Sequence, residues 1–165
     1  MVKQFNIKKF LVIIIVCIII AIIIYAVYTQ IEDYSHANDP KLLELKEIFT
    51  KFFNTKRHWT GALKKLNNID VMSDISLFRG DKSYTINKER VYICMKDENN
   101  EYYALFMLIY VLAHELSHVI CESIGHTDEF NTIFEELLVE LADAGIYDPS
   151  TPLLADYCHS GDKLQ

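Results

Sequence analysis

The chain has 165 residues, 51% of them hydrophobic, and a formal net charge of −7. That length accommodates one ordinary domain and little more. All 23 acidic residues but only 13 of the 16 basic ones follow position 28, which leaves that part at −10. Such a body argues against nucleic-acid partners, because non-specific binding depends on Lys and Arg neutralising phosphates.

The hydrophobic residues are concentrated near the start. Residues 10–27 carry no charge and are mostly isoleucine and valine. A helix of this length spans roughly 27 Å, close to the hydrocarbon thickness of a bilayer. The run ends in Tyr25-Ala26-Val27-Tyr28, a poor signal-peptide cleavage site and a suitable interfacial anchor. The expected organisation is a short basic flank at 1–9, a transmembrane helix at 10–28, a linker at 29–40 and a domain at 41–165. Lys3, Lys8 and Lys9 precede the span, while Glu32, Asp33 and Asp39 follow it. This asymmetry predicts a single-pass protein with a cytosolic N-terminus and its domain on the opposite side.

Beyond a polar linker ending in Asp39-Pro40, residues 41–53 place Leu42, Leu45, Ile48, Phe49 and Phe52 at helical spacing. Residues 61–66 read as a further helical turn or two. Residues 71–78 and 91–95 read as strands, with Arg79-Gly80-Asp81 turning between them. A polar loop at 96–100 follows, in which Asn99 or Asn100 can cap the next helix. Residues 101–124 are apolar nearly all round, as a central buried helix requires, and Gly125 is the expected terminator. Thr127 or Asp128 can cap a second helix, with Phe130, Ile133, Phe134, Leu137, Leu138 and Leu141 on one face. Gly145 closes it. Outside the span lie Cys94, Cys121 and Cys158, so at least one thiol is free or pairs with another molecule.

The central helix carries the chemistry, in His114-Glu115-Leu116-Ser117-His118. Histidines four apart on a helix lie one above the other, so both imidazoles can reach one zinc ion, and the intervening glutamate can take a proton from metal-bound water. Burying these three groups in so apolar a helix would be costly without a metal to compensate. A catalytic zinc needs a third protein ligand. His126 follows Gly125, where the chain can turn back toward the metal. Glu122, Glu136 and Glu140 compete for that place. Tyr147 and Tyr157 are candidate donors to a developing oxyanion. Tyr110 and Cys121 read as packing residues, and His36, His58 and His159 as surface residues.

HELSH, then GHTDEF, then an acidic amphipathic helix together resemble the WLM and SprT-type zinc metallopeptidases. The resemblance covers about 50 residues, from Val91 to Glu140, and a motif of this kind is confirmed by its structural context. It implies an α+β, zincin-like fold, with His114, His118 and His126 as zinc ligands and Glu115 as catalytic base. It further implies that strand 91–95 is an edge strand along which an extended peptide or protein substrate lies. The acidic body does not fit the DNA-linked role of those families. The ICMKD strand and the Tyr157-Cys158 tail also resemble small membrane-anchored proteins of large DNA viruses. The expectation is a membrane-anchored, Zn2+-dependent peptidase. The alternative is a catalytically inactive, zinc-stabilised scaffold or interaction protein.

Overall fold

The computed structural model describes residues 7–56, 58–154 and 157–159. Lys3 and the rest of 1–6 lie outside the described residues, as do the side chains of Lys8, Glu32, Asp33 and His159. By its internal contacts the chain divides into two units, 1–35 and 36–165.

The described part of the first unit belongs to the helix α1 (Ile7–Ala37), within which Lys9–Ile31 is long and apolar enough to cross a membrane. The helix continues to Ala37, so most of the expected linker is helical.

In the second unit, Asp39 caps α2 (Pro40–Thr55) by accepting from the backbone N–H groups of Lys41 and Leu42 at 3.0 and 3.3 Å. Pro40 suits the first turn because its missing N–H has no partner there anyway. Asp39 is buried, and its other oxygen accepts from Arg79 and from the Tyr102 hydroxyl, both at 3.1 Å. Leu42, Leu45, Phe49 and Phe52 turn one stripe of α2 into the core.

A 3-10 helix (Gly61–Asn67) leads to a single turn α3 (Val71–Asp74), and only then to strand β1 (Ser76–Gly80). The expected strand at 71–78 is thus half helix: Asp70 accepts from Ser73 N and Oγ and starts a turn that β-branched Val71 alone does not prevent. A strand absent from the sequence reading follows, β2 (Tyr84–Ile86), and turns through Asn87 and Lys88 into β3 (Arg90–Cys94). Three residues, Asn87 to Glu89, separate the paired Ile86 and Arg90, and the first two have positive φ, 52° and 60°. The sheet order is β1-β3-β2, with β1 parallel and β2 antiparallel to β3. The strand expected at 91–95 is therefore the central one, Arg90–Cys94, and the edges are β1 and β2.

The central helix is shorter than expected. α4 (Leu105–Ile120) starts after an uncapped Ala104, because Asp97, not Asn99 or Asn100, accepts the preceding backbone N–H groups in its own turn. It ends at Cys121, whose backbone is extended, so Gly125 is not its terminator. α5 (Asp128–Asp143) begins at the Thr127 cap, and its side chains Phe130, Ile133, Leu137 and Leu141 are buried. α4 touches α5, β3 and β2, and Met107, Leu108, Val111, Leu112 and Leu116 are wholly buried. Each such side chain contributes roughly 1.5–3 kcal/mol through its removal from water. Mixed helices and one small sheet make the domain α+β.

Candidate metal centre

His114 and His118 lie one helical turn apart on α4, with ring centroids 5.1 Å apart. α4 ends two residues after His118, and the 121–127 segment doubles back at Gly125, where φ is +85°, a conformation that favours glycine. That turn brings His126 over the helix, its Nε2 3.0 Å from Nε2 of His114. One nitrogen from each of His114, His118 and His126 lies within 4.8 Å of the others. Nitrogens bound tetrahedrally at 2.0–2.1 Å would stand roughly 3.3 Å apart, so small ring rotations would bring all three onto one ion. Phe130 forms the floor, with ring centroids 4.9, 4.2 and 4.7 Å from His114, His118 and His126.

Electrostatics keep the lone pairs available. Burial, with the neighbouring imidazoles, pulls His114 down to about 3 and His118 to about 4, so both are neutral at physiological pH. Burial pushes Glu115 up to about 7, partly offset by a hydrogen bond from Thr85 Oγ1 to its Oε2 at 2.7 Å. The same hydroxyl is 3.2 Å from the Glu115 carbonyl oxygen, tying edge strand β2 to the motif helix.

The three competing carboxylates are engaged elsewhere. Glu122 pairs with Lys65 at 2.8 Å, Glu140 pairs with Lys56, and Glu136 accepts from the Ala62 backbone N–H at 2.8 Å. Tyr157 is buried, with its hydroxyl donating to the Cys94 carbonyl beside Ser83 Oγ, so it is not free to serve an oxyanion. Tyr147 and Tyr110 pack with centroids 6.1 Å apart, and Tyr110 lies edge-on to Phe134. Cys121 is a buried free thiol, and Cys94 pairs with Cys158. His58 is exposed and His36 partly so. Sequence reasoning missed Thr85, because a three-residue strand has too little alternation to register. Asn87 at the following turn was the available signal.

Protein 136R of Invertebrate iridescent virus 6 is 40% identical over 119 residues, covering 70% of this chain and 67% of the relative. The chain belongs to the 136R family. Protein 042R of Invertebrate iridescent virus 3 is 38% identical over 99 residues, covering 59% of the chain and 62% of 042R. Protein R325 of Acanthamoeba polyphaga mimivirus is 28% identical over 137 residues, covering 78% and 61%. The chain thus spans about two thirds or less of the length of each. All three are described as uncharacterized. The family model of the chordopoxvirus A13 protein matches residues 6–73, the apolar helix and the start of the domain, and stops short of His114, His118 and His126. These findings overturn the resemblance to WLM and SprT peptidases: the family model that matches is that of a viral membrane protein, and the relatives are viral proteins with no assigned activity. No solved structure matches. This relative of 136R is a viral protein, and among its described residues one helix, near the N-terminus, is long and apolar enough to cross a membrane.

Proposed function

We propose that this protein is a membrane-anchored zinc metallopeptidase with a zincin-like site, in which His114, His118 and His126 hold the metal and Glu115 is the general base. The observation that carries the reading is the convergence of three imidazole nitrogens within 4.8 Å beside a buried glutamate from the same HExxH helix. Zinc in such a site supplies a water of lowered pKa and polarises a substrate carbonyl. With the metal bound, Glu115 would be the group that accepts a proton from the attacking water and returns it to the leaving amine. In the metal-free chain burial pushes its carboxyl up to about 7. Thr85 holds the carboxylate in one orientation. A purely structural zinc site has no use for a buried base at this position, which argues against the scaffold alternative.

The Cys94–Cys158 disulfide favours placing the domain on the non-cytosolic side, since disulfides persist in oxidising compartments. That agrees with the lysine-rich N-terminal flank and with a membrane attachment through residues 10–28. Peptide or protein substrates follow from the chemistry, and the acidic body leaves nucleic acid out. The full-length chain in detergent, loaded with zinc and given an unstructured protein substrate, is expected to hydrolyse it. Glu115→Gln is expected to keep its zinc and lose at least about 100-fold in rate. Undiminished hydrolysis by that variant would exclude Glu115 as the base.

A further inference from the structure

A ligand carried on a loop is only as well placed as the loop, and residues 121–127 are held from three directions. Glu129, in the first turn of α5, accepts from the backbone N–H of Glu122 at 2.9 Å, from the backbone N–H of Ser123 at 3.2 Å and from Ser123 Oγ at 2.6 Å. Ser123 Oγ also lies 2.8 Å from Thr127 Oγ1, which closes the loop and leaves Ile124-Gly125-His126 as its tip. From the β2–β3 turn, Lys88 donates to the carbonyls of Cys121 and Glu122. From the 3-10 helix, Lys65 donates to the Ile120 carbonyl at 3.3 Å and pairs with Glu122 and Glu129. His126 itself is exposed at the tip, so its placement depends on this frame more than on burial.

We infer that Glu129 is the positioning residue for the third metal ligand: by accepting from the backbone N–H groups of Glu122 and Ser123 and from the Ser123 hydroxyl it holds the 121–127 loop so that His126 stands over His114 and His118 before a metal arrives. Preorganisation of this kind lowers the ordering cost of binding, and hydrogen-bond partners behind metal ligands typically change affinity by about 10–100-fold. The three loop donors also hold the Glu129 carboxyl down at about 2, so it remains a carboxylate acceptor at any working pH. The inference rests on the zinc reading above but concerns affinity, not turnover.

The test measures Zn2+ affinity of the full-length chain in detergent by competition with a chromophoric chelator, together with the visible spectrum of the Co2+-loaded protein. Glu129→Ala is expected to weaken Zn2+ binding by about 10–100-fold and to alter the Co2+ spectrum. Ser123→Ala, which removes one of the three donors, is expected to show a smaller loss in the same direction. Glu135→Gln, on the exposed side of α5, is expected to match the wild type. Wild-type affinity and an unchanged Co2+ spectrum in Glu129→Ala would overturn the inference while leaving the zinc reading intact, even if thermal stability fell. If Glu129→Ala does not fold, unchanged affinity in Ser123→Ala would overturn it equally. A wild-type chain that takes up neither Zn2+ nor Co2+ would overturn the zinc reading, and this inference with it.

Discussion

His114 is 5% exposed and packs edge-on against Phe130 and Phe134, with two other imidazoles alongside. Among the described residues its charged form has no favourable partner there, so the imidazole stays neutral, the form in which histidine can bind a metal. The same environment sets a pH dependence for the metal-free chain. As pH falls through about 6.5 the unfolded chain protonates both His114 and His118, while the folded chain accepts those protons only near 3 and 4. Acid therefore favours unfolding. Glu115 works the other way: its raised folded value, about 7, gives stability that is present below 4.5 and lost as pH rises through 7. Between about 4.5 and 6.5 two histidines oppose one glutamate, so stability should fall with acid by up to about 1.4 kcal/mol per pH unit. Urea unfolding of the metal-stripped chain at pH 6.5 and pH 5 should give a lower midpoint at pH 5. An equal or higher midpoint would show that these groups are not buried as described. At this scale the sequence was informative: the His114/Glu115/His118 spacing was legible because helical geometry alone brings the pair together. The engagements of Glu122, Glu136 and Glu140 were not, because their partners Lys65, Ala62 and Lys56 lie on distant segments.

Among the elements, α2 and α5 were legible because their apolar stripes and their caps, Asp39 and Thr127, agree. α4 was legible as a helix but not in its limits. Its apolar run continues on both sides, and what stops it is the Asp97 turn before it and the lysine-gripped loop after it. β2 could not be read from three residues, yet it supplies Thr85 and, through its turn, Lys88. The mistaken edge strand has the same origin: with β2 unseen, residues 91–95 had no partner on that side. The 3-10 helix shows how tightly one element can depend on another. Gly61 has φ +59°, and an added Cβ would meet the Glu136 carboxylate oxygens at 2.5 and 2.7 Å. Gly61→Ala should therefore cost about 1–3 kcal/mol through backbone strain and the displaced cap on Ala62. Chemical denaturation of the variant checks this, and a loss below about 0.5 kcal/mol would mean that Glu136 does not hold the cap.

For the whole molecule, kinship and site chemistry come from different parts of the chain. The chordopoxvirus family model covers residues 6–73, whereas the clustered histidines are His114, His118 and His126, so likeness to that membrane protein neither supports nor opposes a metal site. The iridescent virus relative 136R, aligned over 119 residues, establishes the family and leaves its activity open. A tail that could not be placed from sequence is fixed to the end of β3 by the Cys94–Cys158 disulfide and by the Tyr157 hydroxyl on the Cys94 carbonyl. Pairing across a separation of 64 residues could not be chosen from three cysteines, and only the folded sheet brings those two together. The proposed activity stands or falls with a zinc ion held by His114, His118 and His126, and metal analysis of the purified chain in detergent decides whether it is there. The prediction is about one zinc per chain, lost or greatly weakened in His126→Ala. A folded wild-type chain that holds no zinc, even after the metal is added back and the excess dialysed away, would contradict it.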